Sequence, residues 1–237
     1  MPDSPTPRVY DLPTRIFHWL FGASFVAAFV IANVAEHSPA FPLHMLAGLL
    51  LAALVLFRFF WGVFGTRHAR FGSFALRPRE LGRYFRAMLT GGRDKWTGHN
   101  PASSWSALIM LGLAAGLAVT GVLMVNGDRE TYEDVHEVLA NAFLAMALLH
   151  VAGVVVHVLR HRDGFARSMI DGRKQAAGNV ASVPSRPVVA LLLLAGLFGV
   201  GVHLYRGYDP ATQTATVFGS SLQLGEHEQG REGHDED

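Results

Sequence analysis

The chain has 237 residues, of which 50% are hydrophobic and only 16% are charged, and its formal net charge is +1. A soluble domain carries about 25% charged residues, so this composition indicates an integral membrane protein, for which we expect no nucleic-acid partner. The sequence contains no cysteine. It therefore excludes disulfides, thiolate-bound iron–sulfur clusters and covalently attached c-type haem.

Five apolar stretches are long enough to cross a membrane as helices. Pro13 suits the first turn of the first stretch, and Asp11 is a candidate cap for it. We predict an all-α integral membrane protein, with a four-helix transmembrane bundle and a fifth, C-terminal transmembrane helix. The predicted spans cover approximately residues 13–34, 42–63, 105–125, 132–159 and 188–205.

The charged residues between these spans predict the topology. Residues 65–104 hold seven Arg and one Lys against two acids, and residues 160–187 are similarly basic, whereas residues 126–134 hold four acids and one Arg. Under the positive-inside rule the N-terminus and both basic segments are cytoplasmic, and the C-terminus is periplasmic. We therefore expect a multi-pass protein of the bacterial inner membrane. Within the first basic segment, Pro78–Leu89 has the pattern of an amphipathic helix in contact with lipid headgroups.

Four histidines, His18, His44, His136 and His150, lie within the apolar stretches. His136 and His150 are separated by 14 residues, so they share a helix face about 21 Å apart. Because the members of each pair lie at a similar depth, we expect His18 to pair with His150 near the cytoplasm and His44 to pair with His136 near the periplasm. Such pairs are typical of two b-type haems with bis-histidine ligation, which favours electron transfer. The alternative is a hydrogen bond from each imidazole to a helix carbonyl, and His37 is the rival of His44.

Two arginines are candidates to bind the haem propionates. Arg58 follows His44 by 14 residues, so it shares that face at the depth of the cytoplasmic haem, and Arg15 lies one turn before His18. An arginine inside a membrane bundle needs an anionic partner, which a propionate supplies. Small residues leave room for close helix approach or for a flat macrocycle, and they are Gly22, Gly48, Gly112, Gly116, Gly121 and Gly153.

Five segments of the first 174 residues form a further pattern, namely Val9–Trp19, Leu43–Gly48, Arg67–Phe71, Gly98–Pro101 and His136–Asn141 with His150. Taken together, these segments resemble the bacterial cytochrome b561 family. That family is similar to the di-haem b subunits of membrane-bound nickel–iron hydrogenase and formate dehydrogenase. The resemblance covers roughly residues 8–174 and implies the same helix pairing for the two haems. We accordingly predict a cytochrome b domain at 1–175, a linker and fifth helix at 176–207, and a polar, acidic tail at 208–237.

Three further histidines are candidates for the quinone side of the protein. His68 and His99 lie in basic segments, where solvated residues are the usual case, but both fall within the matching motifs. His157 lies two turns beyond His150. It is either in contact with a quinone or a propionate or simply located at the membrane interface. No residue of the chain stands out as catalytic.

The leading hypothesis is a di-haem cytochrome that carries electrons between the quinone pool and a periplasmic partner, which we expect to be a c-type cytochrome. Alternatives within redox chemistry are a superoxide-oxidising quinone reductase and the cytochrome subunit of a membrane hydrogenase or dehydrogenase. Outside that class, the histidines would bind protons or metal in a non-redox helical membrane protein. The sequence leaves open whether the protein is itself an enzyme, and in which direction electrons flow.

Overall fold

The computed structural model describes residues 6–34, 40–92, 96–161, 164–175, 180–209, 212, 214–217 and 220–223. Five helices of this part of the chain are long and apolar enough to cross a membrane, which confirms the predicted all-α membrane fold. Two shorter helices, α3 and α6, lie between the spans. The helices are α1 Leu12–Val34, α2 Pro42–Phe64, α3 Pro78–Thr90, α4 Pro101–Leu123, α5 Arg129–His161, α6 Ser168–Asp171 and α7 Pro187–Gly207.

The core of the bundle is aromatic and aliphatic, and α1, α2, α4 and α5 form it. Phe25 of α1 stacks on Phe143 of α5 with ring centres 3.9 Å apart. The fifth span, α7, packs against α1 and α2 and adds Leu193 to the core. Large apolar side chains such as Leu148 and Phe198 are instead exposed on the outer surface, as expected where a bundle faces hydrocarbon.

The buried carboxylate of Asp11 joins the start of α1 to the end of α2. Its Oδ1 accepts a hydrogen bond from the Thr14 backbone N–H at 2.8 Å, which confirms Asp11 as the predicted cap. Its Oδ2 accepts from Trp61 Nε1 at 3.1 Å and from Thr66 Oγ1 at 2.6 Å. Three donors therefore satisfy a carboxylate that is completely enclosed.

The segments that join α2 to α4 and α5 to α7 lie at one end of the bundle, together with the start of α1. We call this the basic end, and the opposite end, where α4 meets α5, the acidic end. At the basic end α3 buries Tyr84 and leaves Phe85 and Leu89 exposed, as its amphipathic pattern predicts. Gly91 ends this helix with a left-handed conformation, φ +95°.

The predicted boundaries of two spans were wrong. The third span begins at Pro101 rather than near residue 105, because Asn100 Oδ1 accepts the Ser103 backbone N–H at 2.8 Å and caps the helix. The fourth begins at Arg129 rather than near residue 132. A tight turn over Met124–Asp128 connects it to α4, and the chain reverses at Gly127 with φ +110°. The acidic residues after 128 therefore lie on the first turns of α5.

A small antiparallel sheet follows α7, which the polar composition of the tail did not predict. It consists of β1 Tyr208–Asp209, β2 Thr214–Val217 and β3 Ser220–Gln223, in the order β1-β2-β3. The strand β2 packs against α7, and β3 packs against the turn at Met124–Asp128. The sheet thus lies at the acidic end. The acidic, Gly- and His-containing composition of residues 226–237 predicts disorder, and these residues lie outside the described part of the chain.

Candidate functional site

The structure brings the four predicted histidines together as two pairs. At the basic end the rings of His18 on α1 and His150 on α5 have centres 6.5 Å apart. At the acidic end the centres of His44 on α2 and His136 on α5 are 6.2 Å apart. Helix α5 thus contributes one histidine to each pair, in the arrangement expected from the depth of the residues. His37, the rival of His44, lies outside the described residues.

Both separations fit two imidazoles that share one metal ion. An imidazole nitrogen bonds a transition metal at about 2.0–2.1 Å, and the ring centre lies about 1.1 Å behind it, so two opposed rings have centres about 6.3 Å apart. Direct van der Waals packing would bring stacked rings closer, as in His157 and His161 at 4.2 Å. Within the described part of the chain, no three His, Asp or Glu side chains form a group suited to a metal ion. A haem iron needs only two protein ligands.

The acidic-end pair is oriented by hydrogen bonds to its outer ring nitrogens. His44 Nδ1 lies 2.8 Å from the Ala28 carbonyl oxygen, so Nδ1 carries the proton and donates it. His136 Nδ1 lies 2.8 Å from Thr120 Oγ1, and the Thr120 hydroxyl donates to the Gly116 carbonyl at 2.9 Å. The hydroxyl oxygen therefore accepts from His136. In both rings Nε2 retains its lone pair, as in histidines that bind metals.

The basic-end pair contains a polar atom without a partner. His18 Nδ1 is buried and has no hydrogen-bond partner among the residues that the structure describes. Next to each histidine of this pair, a glycine one turn further along the helix leaves free space. A Cβ built at Gly22, one turn after His18, or at Gly153, one turn after His150, would meet no atom within 4 Å.

The other small residues divide between the two predicted roles. A Cβ at Gly48 or Gly112 would also meet nothing within 4 Å, which leaves room for a flat macrocycle. By contrast, a Cβ at Gly116 would lie 3.0 Å from Leu139, and one at Gly121 would lie 3.6 Å from the ring of His136. Gly116 and Gly121 therefore allow α4 to approach α5 closely.

Arg58 is a buried cation at the basic end, only 6% exposed. Its guanidinium carbon lies 4.7 Å from the centre of the Phe71 ring, with Phe17 and Phe74 within 6 Å. Nη1 is buried and finds no hydrogen-bond partner in the described residues. A desolvated guanidinium with an unused donor fits an anionic group such as a propionate. Arg15 differs, since its Nη1 donates to the Ile170 carbonyl and joins α1 to α6.

A half-open cavity of about 810 Å³ lies at the basic end and brings His68 and His99 together. Its wall also contains Arg67, Arg70 and Trp96. His68 Nε2, His99 Nδ1 and Trp96 Nε1 are all buried and lack a hydrogen-bond partner among the described residues. The cavity therefore presents two cationic side chains to a ligand, and three ring nitrogens without a hydrogen-bond partner among the described residues are buried in its wall.

Both cavity histidines are held neutral. Burial, followed by the charges of Arg58 and Lys174, lowers the pKa of His99 to about 3. Burial, with the charges of Arg67 and Lys174, also lowers the pKa of His68. A neutral imidazole has one N–H donor and one acceptor, so each ring can donate a hydrogen bond without bringing a charge into the cavity.

His157 is not part of this cavity. It is 2% exposed, its Nδ1 lies 3.0 Å from the Tyr84 hydroxyl, and its ring packs against His161 and Phe165. Asn100 Nδ2 donates to the same hydroxyl at 3.3 Å. The contacts of His157 therefore hold α3 against α5, and its predicted quinone contact is not supported by its position.

Three residues of these sites escaped the sequence analysis. Thr120 lies within an apolar span, where a threonine is unremarkable, and only the structure shows it beside His136. Trp96 and Lys174 lie in basic segments that we attributed to topology. Their separation of 78 residues hides the fact that Lys174 Nζ donates to the Trp96 carbonyl at 2.6 Å.

Comparison with known proteins identifies a family of membrane cytochromes. A family described as "Prokaryotic cytochrome b561" matches residues 9–172. A relative from Rhizobium leguminosarum bv. viciae, described as "Probable Ni/Fe-hydrogenase B-type cytochrome subunit", is 23% identical over 211 aligned residues, which cover 70% of this chain and 87% of the relative. No solved structure matches the chain at comparable significance.

Proposed function

The chain belongs to the prokaryotic cytochrome b561 family, and on that premise we propose that it carries electrons between the quinone pool and a periplasmic partner through two b-type haems. Family membership makes it a membrane b-type cytochrome of electron transfer. The proposal of two haems rests on one observation, the two histidine pairs with ring centres 6.5 and 6.2 Å apart.

Each pair would hold one haem iron through its two imidazoles, with His18 and His150 at the basic end and His44 and His136 at the acidic end. Haem b, when bound, supplies reversible one-electron chemistry at its iron. An iron held by two imidazoles would favour electron transfer over binding of small ligands. The hydrogen bonds that His44 Nδ1 and His136 Nδ1 make fix the tautomer in which Nε2 is free to bind the iron. Arg58 Nη1 is proposed to bind a propionate of the basic-end haem.

We place the quinone in the cavity at the basic end. Quinone carbonyl oxygens accept hydrogen bonds, and Arg67 and Arg70 line the cavity as donors, while unpartnered ring nitrogens of His68, His99 and Trp96 are buried in its wall. Since the same end carries the His18–His150 pair, a quinone there would exchange electrons with the nearer haem. We infer that this end faces the cytoplasm across the inner membrane, which the basic segments support under the positive-inside rule.

The redox partner is proposed to bind at the acidic end. Glu130, Glu133 and Asp134 are exposed on the first turns of α5, directly before His136. Arg129 pairs with Glu133 at 3.5 Å and offsets one of these charges. A negative surface beside the outer haem site suits a basic c-type cytochrome, which long-range attraction would steer to it.

A second candidate is the cytochrome subunit of a membrane hydrogenase, because the Rhizobium relative is described as such a subunit. The two candidates share the haem and quinone sites and differ in the partner at the acidic end. A soluble c-type cytochrome would exchange electrons in free collisions, so the rate of electron transfer would fall as the salt concentration rises. An oxidoreductase subunit would instead copurify with the chain in mild detergent.

The test is the haem content of the purified protein in mild detergent. We expect a b-type reduced-minus-oxidised spectrum, two haems per chain, and haem reduction by a short-chain quinol or haem reoxidation by the corresponding quinone. One haem per chain would contradict the two-site proposal. Two haems that exchange no electrons with any quinone would contradict only the quinone part.

A further inference from the structure

We propose that Lys174 is the positioning residue of the basic-end cavity, holding the Trp96–His99 wall in place so that this wall and His68 meet the quinone in a fixed geometry. The proposal rests on the proposed function, which places quinone in this cavity. Lys174 is not in contact with the ligand in this account. It acts through the backbone of the segment that forms the wall.

The side chain of Lys174 is buried, with an exposure of only 1%. Its Nζ donates to the Trp96 carbonyl at 2.6 Å and to the Gly98 carbonyl at 3.3 Å. The ammonium also lies 4.8 Å from the centre of the Phe165 ring, a distance at which a cation and a ring attract each other. A buried ammonium is costly unless such contacts compensate its lost hydration, so its contacts constrain the neighbouring chain strongly.

The held segment needs an external support. Residues 96–100 form neither helix nor strand, so no regular ladder pairs the carbonyls of Trp96 and Gly98. Charge-assisted hydrogen bonds are about twice as strong as neutral ones, and a single ammonium joins two carbonyls two residues apart. Lys174 therefore fixes the backbone on either side of Thr97, directly before His99.

The position of this backbone determines the position of both cavity histidines. Gly98 packs against the His68 ring so closely that a Cβ there would lie 2.7 Å from His68 Nδ1. His99 follows Gly98 in the chain, and its ring contacts Tyr10 and Phe74 with centres 5.1 and 4.8 Å away. A shift of the Gly98 backbone would therefore move one histidine through the chain and the other through contact.

The chain around Lys174 supports the back of the same wall. The Gly172 carbonyl accepts from the backbone N–H groups of Val9 at 2.7 Å and Tyr10 at 3.2 Å. Tyr10 is the residue that packs edge-on against His99. The segment 172–174 thus contacts the wall twice, through the Lys174 ammonium and through Tyr10.

The test compares Lys174→Met, which removes the donor, with Lys174→Arg, which keeps a cationic donor. The matched control is Arg173→Met, because Arg173 is the adjacent cation but is exposed. In the haem-loaded protein in detergent, we expect Lys174→Met to raise KM for a short-chain quinone about tenfold, in the range of one lost hydrogen bond to a charged group. The kcat and the haem content should stay within about twofold of wild type, and Lys174→Arg should recover part of the KM change.

Hydrogen exchange of the backbone at residues 96–100 provides a readout that does not depend on quinone. Lys174→Met should accelerate this exchange, and Arg173→Met should not. An unchanged KM, or exchange as slow as in wild type, would overturn the proposal. If wild type fails to react with any quinone, the proposed function fails, and exchange alone then decides whether Lys174 holds the wall. Should Lys174→Met not fold, Lys174→Gln is judged by the same two measurements.

Discussion

Removing the hydroxyl of Thr120 should raise the reduction potential of the acidic-end haem and leave the basic-end haem unchanged. His136 Nδ1–H donates to Thr120 Oγ1 at 2.8 Å, and this hydroxyl donates onward to the Gly116 carbonyl. An acceptor on the outer nitrogen makes the imidazole a more basic ligand, which favours the oxidised iron. Thr120→Val keeps the shape of the side chain and removes this acceptor. The oxidised state should therefore lose stabilisation.

The size of the effect follows from the hydrogen bond that is lost. A neutral hydrogen bond contributes about 0.5–1.5 kcal/mol net. For a one-electron couple about 59 mV corresponds to a tenfold change, or about 1.4 kcal/mol, so the upper limit of the shift is about 20–65 mV. Because partners of ligating histidines typically affect metal affinity about 10–100-fold, haem should also dissociate from this site more readily.

Redox titration followed optically resolves the two haems and measures the shift. Thr120→Ser is the control, because it retains an oxygen at the same position and should keep the wild-type potential. The reasoning would be refuted if Thr120→Val left both potentials unchanged, or if the basic-end haem shifted instead. It would also be refuted if Thr120→Ser shifted the potential as far as Thr120→Val.

Three further predictions address the other parts of the account. Arg58→Leu should lower the reduction potential of the basic-end haem by some tens of millivolts with little dependence on salt, because a buried cation stabilises the reduced haem. A shift confined to the acidic-end haem in the redox titration would contradict this prediction. Lowering the pH from 7 towards 5 should lower the free energy of unfolding of the wild type by up to about 1.4 kcal/mol per pH unit, because His99 binds a proton below about pH 6.5 in the unfolded state but has a pKa of about 3 in the folded state. In thermal unfolding, the stability of His99→Gln should depend less on pH, and parallel curves for the two proteins would contradict the assignment. Neutralising the four acids within 128–134 should slow electron transfer to a basic c-type cytochrome at low ionic strength with haem content unchanged, and stopped-flow rates equal to wild type across a salt series would exclude this face.

The spans and the histidine pairs could be predicted from the sequence because both follow from local rules. Length and hydropathy define a span, and the 14-residue spacing of His136 and His150 gives a common face on any straight helix. Arg58 was predicted at the basic end by the same spacing from His44, and its aromatic surroundings do not alter that position. Length, hydropathy, the distribution of charge and helical periodicity together were sufficient for these features.

The features that the sequence did not predict depend on contacts between distant residues or on one unusual backbone conformation. The chain reverses after α4 because Gly127 takes a positive φ, which hydropathy does not report. The sheet after α7 consists of strands of only two to four residues, too short for an alternating pattern to be distinct. His157 faces Tyr84 across 73 residues of chain, and Lys174 reaches Trp96 across 78. No spacing rule relates residues so far apart.

The most direct test of the central claim is redox titration of His44→Ala and His150→Ala beside the wild type. Two separate haem sites predict two redox components in the wild type and one in each variant. His44→Ala should lose the acidic-end component and His150→Ala the basic-end component, so the surviving potentials should differ. Loss of both haems from either folded variant, or survival of the same component in both, would contradict the account.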